Sequence, residues 1–74
     1  MRQRYNFEMR AYINGQSFYI TKYITIYDLL QYLGYKPKNA ILEWNKKLIS
    51  LKEAKNIIVK SGDTIEFVSI VGGG

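Results

Sequence analysis

Two alternating stretches joined by Asn14 and Gly15 constrain the fold of this chain more than any other feature. In residues 7–13, FEMRAYI, every second side chain is apolar, which is the pattern of a strand with one buried face. The following stretch, SFYIT, puts Phe18 and Ile20 on the apolar side and Tyr19 on the other. Because Asn-Gly between such stretches favours a two-residue turn, the sequence predicts an antiparallel hairpin.

A short helix of two to three turns is predicted after the hairpin. Thr25 is a typical N-cap residue, and Asp28 places a negative charge in the first turn. Gly34 is positioned to end the helix in a left-handed conformation, and Pro37 prevents its continuation. One apolar stripe with helical spacing is expected to cover the sheet: Ile26, Leu29, Leu30 and Leu33.

Three further strands are predicted: AILEW at residues 40–44, LIS at 48–50 and TIEFVSIV at 64–71, with turns at NKK and SGD. The stretch LKEAKNIIVK is interpreted as a helical turn near residues 52–55 followed by irregular chain. The order strand, strand, helix, strand, strand, strand predicts an α+β fold, the ubiquitin-like β-grasp. This fold has a mixed sheet of four to five strands, one main helix packed across it, and the first and last strands parallel at its centre.

The predicted organisation has three parts. Residues 1–8 form an N-terminal extension that lengthens the first strand or is disordered. Residues 9–71 form the β-grasp domain, and residues 72–74 form a flexible glycine tail.

Composition excludes several kinds of chemistry. The 74 residues include no cysteine and no histidine, so disulfides, thiolate chemistry and a histidine base are excluded, and we expect no metal site. No apolar run approaches the ~20 residues needed to span a bilayer, and the basic N-terminus has no apolar run behind it. We therefore expect a soluble intracellular protein without a membrane partner, in the cytoplasm or the plastid stroma.

The net charge of +5 has two interpretations. A basic β-rich protein with tyrosines to stack on bases, here Tyr12, Tyr19, Tyr23 and Tyr35, would bind nucleic acid. The lysines, however, are scattered along the chain and do not cluster on one element. Lysine, isoleucine, tyrosine and asparagine are all plentiful and are all encoded by AT-rich codons, so the charge is explained by composition and we expect no nucleic-acid partner.

The last three residues, Gly72, Gly73 and Gly74, invite a functional interpretation. One interpretation is a frayed end or a cloning remnant. The other is a flexible tail that enters a narrow channel of a partner and presents the α-carboxylate of Gly74. A carboxylate becomes reactive when it is converted to a mixed anhydride with AMP. The chain contains no phosphate-binding motif and no evident acid–base pair, so another protein would perform this chemistry. The sequence therefore predicts a carrier that binds no cofactor and is not an enzyme, with ATP used by its activating partner.

Five stretches, in order and at their spacing, resemble the ThiS family of small sulfur carriers within the ThiS/MoaD group. They are INGQ at 13–16, TIYDLLQYLG at 25–34, AILEWNKKLI at 40–49, GDTIEF at 62–67 and VGGG at 71–74. The resemblance implies that a ThiF-like E1 enzyme adenylates Gly74. A cysteine desulfurase or sulfurtransferase then supplies sulfur to form a thiocarboxylate, with Gly72 and Gly73 as the tail. A ThiG-like thiazole synthase would use this sulfur for the thiazole of thiamin.

A docking surface for these partners is predicted on the open side of the sheet. Its residues are Tyr12, Tyr19, Val68, Ile70 and Val71, and the alternative is ordinary exposed apolar area or burial under the N-terminal extension. Trp44 is interpreted as a half-buried strand residue, with a partner contact as the alternative. Asn14, Gly15, Gly62 and Asp63 are interpreted as turn formers.

Three other carrier functions stay open. Carriers for molybdopterin synthesis and for transfer-RNA thiolation use the same activated glycine, as does a ubiquitin-like modifier joined to lysines. The ending VSIVGGG has no proline before its glycines, which favours thiamin over molybdopterin.

Overall fold

The structure is a computed structural model, and it describes residues 9–70. The predictions made for residues 1–8, for Val71 and for Gly72, Gly73 and Gly74 lie outside the described residues. The elements follow the predicted order, with a second short helix before the last strand: β1 (Met9–Ile13), β2 (Gln16–Ile20), α1 (Ile26–Tyr32), β3 (Ala40–Trp44), β4 (Lys47–Ile49), α2 (Leu51–Ala54) and β5 (Thr64–Ser69).

One mixed sheet of five strands has the order β2-β1-β5-β3-β4. β1 and β5 are parallel at the centre, with Ile13 beside Ile65. β3 is antiparallel to β5, with Trp44 on the other side of Ile65. The last strand in the chain is therefore the middle strand of the sheet, as the predicted β-grasp requires.

Local chemistry explains the two hairpins. Asn14 and Gly15 have φ values of 51° and 83°, and Asn45 and Lys46 have 51° and 70°. Two consecutive positive φ values are the signature of the two-residue turn that matches strand twist. The predicted turn at Asn14 and Gly15 is confirmed, and the NKK turn takes the same form.

The helix α1 also begins and ends for the predicted reasons. The backbone N–H of Asp28 donates to the hydroxyl of Thr25 at 3.1 Å, which satisfies one of the free donors in the first turn. Gly34 follows the helix with φ 94°, in the left-handed region that glycine adopts without strain. The helix is seven residues long, at the lower limit of the expected length.

The core lies between one face of the sheet and the helices. Leu30, Ile13 and Ile65 are completely buried there, and Phe67 and Leu33 pack at its margin. Every element except β4 contributes a residue to the buried set: Ala11, Ile13, Ile20, Ile26, Leu29, Leu30, Leu42, Ala54, Val59 and Ile65. The opposite face of the sheet carries no helix in the part of the chain that the structure describes.

Three sequence expectations need correction. The last strand ends at Ser69, whereas the pattern extended it to residue 71, although the N–H of Ile70 still bonds to Asn39 at 2.9 Å. Tyr35 was counted among the exposed tyrosines, but its ring lies 4.9 Å from that of Phe67 and is half-buried. Tyr12 is half-buried as well, so fewer rings are free to stack on bases than the sequence indicated.

Candidate functional site

The candidate site is the uncovered face of the sheet together with the strand that leads toward residues 71–74. We call the outward-facing strand positions on this side the open face. Strand pairing defines its members: Arg10, Tyr12, Ser17, Tyr19, Ile41, Glu43, Leu48, Thr64, Glu66 and Val68. Ile70, one residue beyond β5, continues the alternation on the same side.

The predicted docking residues on the open face separate into two groups. Val68 lies beside Ile41, toward the end of β5 from which the C-terminal residues depart. Tyr12 lies beside Thr64, at the other end of β5. Four residues of strand, about 13 Å at the rise of an extended chain, separate these two levels. The structure therefore brings Val68 and Ile70 together but places Tyr12 and Tyr19 at a distance from them.

An apolar patch surrounds Val68. Its four residues, which we call the apolar end, are Ile41, Leu48, Val68 and Ile70, with 44%, 69%, 56% and 51% of their surfaces exposed. Ile41 and Val68 are direct cross-strand neighbours, and Leu48 lies two residues further back, beside Glu43. Neighbouring exposed aliphatic residues are typical of a protein-binding surface. Ile41 and Leu48 were missed by the sequence reasoning. The alternation in AILEW, where Ile41 faces away from buried Leu42, is the signal that would have found the first of them.

A polar cluster forms the opposite end of the open face. The guanidinium of Arg10 donates to the hydroxyl of Tyr19 at 2.6 Å, and its carbon lies 4.8 Å from the centre of the same ring. The hydrogen bond to Tyr19 is the main cause that raises the pKa of Arg10, and the neighbouring hydroxyl of Tyr12 raises it further. We call Arg10, Tyr12 and Tyr19 the tyrosine end; it holds a fixed positive charge on an aromatic surface.

Two carboxylates lie between the ends. Glu43 and Glu66 are direct cross-strand neighbours on β3 and β5. Like charges directly opposite each other on neighbouring strands repel, so a cationic side chain of a partner would relieve this repulsion. No lysine occupies an outward-facing position in the five strands described. Outside the tyrosine end, the open face is thus acidic and apolar, although the chain as a whole carries +5.

Three lysines lie near the helix α1: Lys36, Lys38 and Lys55. An open groove of about 380 Å³ there is lined by Tyr27, Gln31, Tyr35 and residues 36–38, which include two lysines. The ammonium of Lys55 lies 4.8 Å from the ring centre of Tyr27. Among residues 9–70, no three acidic, cysteine or histidine side chains are grouped to hold a metal ion.

Asparagine side chains hold β5 at two points, Thr64 and Phe67. The N–H of Thr64 donates to Oδ1 of Asn45 at 2.9 Å, and Nδ2 of Asn45 donates to buried Asp63 at 3.0 Å. Further along β5, the N–H of Phe67 donates to Oδ1 of Asn14 at 2.7 Å. Asn14 and Asp63 therefore do more than form turns, since both join parts of the chain that are distant in sequence.

Comparison with known proteins gives three related findings. The chain is 40% identical over 63 residues to the uncharacterized protein ycf40 of Trieres chinensis, covering 85% of this chain and 86% of that protein. It is 29% identical over 62 residues to the ycf40 protein of Porphyra purpurea, covering 84% and 87%. It is also 30% identical over 66 residues to a thiazole synthase of Magnetococcus marinus. That match covers 89% of this chain but only 20% of the synthase.

Solved structures and a family model agree with these relatives. The crystal structure of the thiamine biosynthesis protein ThiS from Geobacter metallireducens superposes with a TM-score of 0.72 at 25% identity, covering 89% of this chain and 100% of that one. The solution structure of a thiamine biosynthesis protein from the same organism gives 0.69, again at 25% identity, covering 89% and 88%. The ThiS family model matches residues 4–74. The chain therefore belongs to the ThiS family, the small sulfur carriers of thiamine biosynthesis, and has their ubiquitin-like β-grasp fold.

Proposed function

We propose that this protein carries sulfur as a thiocarboxylate on Gly74 and donates it for thiazole formation. One observation carries the proposal: the family match continues to residue 74. The position of β5 in the middle of the sheet supports it, because this strand comes directly before the last residues. Gly72 and Gly73 would form the tail that threads a partner, since glycine has the least steric demand of any residue.

The proposed chemistry proceeds in three balanced steps. An oxygen of the Gly74 carboxylate attacks the α-phosphorus of ATP in a ThiF-like enzyme, and pyrophosphate leaves. The outer sulfur of a persulfide, supplied by a cysteine desulfurase or sulfurtransferase, attacks the acyl carbon, and AMP leaves. A thiol then attacks the resulting acyl disulfide, which releases the thiocarboxylate and forms a new disulfide. Every thiol belongs to a partner because this chain contains no cysteine.

The match to part of a thiazole synthase supports thiazole formation as the destination of the sulfur. A stretch similar to this whole domain occurs within a protein of that name. A carrier-like domain within a synthase would place the sulfur donor close to the synthase site. The similarity to ycf40 supports the plastid stroma as the place of action, with the cytoplasm as the alternative. No helix among residues 9–70 is long and apolar enough to cross a bilayer.

Intact-mass spectrometry tests the carrier function directly. The purified protein is incubated with ATP, a ThiF-like enzyme and a persulfide source, and we expect a mass increase equal to replacement of one oxygen by sulfur. Fragmentation should assign the change to Gly74. If the partner enzyme activates another ThiS carrier but yields neither adenylate nor thiocarboxylate here, the proposed function is wrong. Subsequent thiazole formation with a ThiG-like synthase separates thiamin synthesis from the other sulfur pathways.

The open face is the proposed docking surface, and its apolar end includes Ile70, which is four residues before Gly74 in the chain. The tyrosine end would make a separate contact about 13 Å away. Val71, which follows Ile70, would extend the apolar end toward the tail. A partner that fits the open face would present aliphatic or aromatic side chains to the apolar end and a basic side chain to Glu43 and Glu66.

Truncation of Val68 tests the apolar end. Val68→Ala should raise the KM of the activating enzyme for the carrier about tenfold with kcat nearly unchanged, because it removes contact area used in docking. Tyr32→Ala is the matched control, since Tyr32 is 82% exposed but lies on α1, away from the open face. Equal KM values for the two variants would contradict docking through the apolar end.

A further inference from the structure

The hydrogen bonds of Asn14 are unusual for a turn residue. A two-residue turn needs only the positive φ of its residues, which glycine supplies as well as asparagine. Yet both polar atoms of the Asn14 amide bond to a single residue of β5, 53 positions away. Oδ1 accepts from the N–H of Phe67 at 2.7 Å, and Nδ2 donates to the carbonyl of Phe67 at 3.2 Å.

The side-chain amide of Asn14 continues the parallel β1–β5 hydrogen-bond ladder beyond the point where the main chain of β1 leaves it. The N–H of Tyr12 donates to the carbonyl of Asp63, and the N–H of Asn14 donates to that of Ile65, both at 2.9 Å. In a regular parallel pair, the Asn14 carbonyl would next accept from Phe67, and residue 16 would donate to Phe67. The chain has already turned into β2 at that level, and the side chain of Asn14 supplies both missing bonds.

The side-chain bonds of Asn14 determine how much of β5 is hydrogen-bonded on both of its edges. On the β3 side, pairing continues through Ser69 beside Ala40 and ends with the Ile70 bond to Asn39. On the β1 side, Phe67 is the last β5 residue with a hydrogen bond among the residues described. Without the Asn14 side chain, hydrogen bonds on the β1 side would hold β5 only as far as Ile65. The rest of β5, up to Ser69, would be held by its pairing with β3 alone.

We propose that Asn14 is a positioning residue for the reaction at Gly74, because its amide sets the direction in which β5 delivers residues 71–74 to the activating enzyme. The inference rests on the proposed function. Asn14 touches no reacting atom; it acts through Phe67, seven residues before Gly74. Loss of the amide leaves β5 paired with β3 as far as Ser69, which keeps Val68 beside Ile41 for docking. We therefore expect the amide to act mainly on the chemical step.

Asn14→Gly tests the proposal because it keeps the turn and removes both bonds. Asn45→Gly is the matched control: Asn45 has the same φ of 51°, and its amide also bonds β5, but at Thr64, at the start of the strand. Each variant is assayed for Gly74 adenylation by ATP–pyrophosphate exchange, at a temperature where circular dichroism shows it folded. We expect kcat to fall about tenfold for Asn14→Gly and less than twofold for Asn45→Gly, with KM unchanged in both.

Asn14→Asp is a second variant, which is expected to lose only one of the two hydrogen bonds to Phe67. A carboxylate keeps an acceptor for the N–H of Phe67 but loses the donor to its carbonyl, and aspartate tolerates the same backbone conformation. Its kcat should fall between those of the wild type and Asn14→Gly. In hydrogen-exchange measurements, protection of the Phe67 amide should follow the same order.

Several results would overturn the inference. They are an unchanged kcat in Asn14→Gly, an equal fall in kcat in both glycine variants, or loss of Phe67 protection with no change in rate. In each of these the wild type still reacts, so the proposed function stands. If the wild type itself does not react with a verified activating enzyme, both the proposed function and this inference are wrong.

Discussion

Deletion of Gly73 and Gly74 is expected to abolish thiocarboxylate formation while leaving the fold intact. The reaction requires the terminal carboxylate to reach the α-phosphorus of ATP, and each residue removed withdraws it by up to about 3.5 Å. A displacement of 1 Å can already cost a hundredfold in rate, so a loss of about 7 Å should leave no measurable product. The measurement is the intact mass of the carrier after incubation with ATP, the activating enzyme and the sulfur source.

Stability and docking provide the controls for this deletion. Every residue of the buried set lies between Ala11 and Ile65, so we expect the urea midpoint of the shortened chain to match that of the full chain. The shortened chain should also compete with the full chain for the activating enzyme, because its open face is unchanged. A basic nucleic-acid-binding protein would lose nothing on this deletion. A product from the shortened chain at a rate near that of the full chain would contradict the carrier mechanism.

Ile65→Ala is expected to have the largest effect on stability. Ile65 is completely buried in the central strand, between Ile13 of β1 and Trp44 of β3. Its truncation should lower the free energy of unfolding by about 3 kcal/mol, through lost burial and an unfilled cavity. A domain of this size has a total stability of roughly 4–11 kcal/mol, so the loss is a large fraction of it.

Urea unfolding followed by far-UV circular dichroism measures this loss. Val68→Ala is the control, because Val68 lies on the same strand but points out to the open face. Its free energy of unfolding should change by about 0.5 kcal/mol or less. Equal midpoints for the two variants would contradict the assignment of Ile65 to the core and of Val68 to the open face.

Local sequence signals predicted most of the fold. The positive φ at Asn14 and Gly15, the hydroxyl cap at Thr25 and the left-handed Gly34 each depend on residues within a few positions of one another. Alternation likewise assigned Phe18 and Ile20 to the inner face and Tyr19 to the outer face, as the structure confirms. The parallel pairing of β1 and β5 followed from the order of elements and not from any local pattern.

Long-range register explains what the sequence did not predict. Alternation showed that Tyr12 and Val68 point to the same side of a sheet, but it contains no information on their relative positions along the sheet. That distance depends on the pairing of Tyr12 with Thr64, which joins strands about fifty residues apart. The role of Asn14 was missed for the same reason, since nothing around a turn indicates which strand will lie beside it.

The central position of β5 also has a consequence for synthesis. Both hairpins leave the ribosome before β5 does, yet in the sheet they are joined only through it. Contacts this distant in sequence form late and make folding slow relative to helical proteins. A nascent or truncated chain that lacks β5 would have two separate hairpins and no continuous open face. A partner that recognises that face would therefore select chains translated at least as far as Ser69, and products that end before β5 is complete would not be bound.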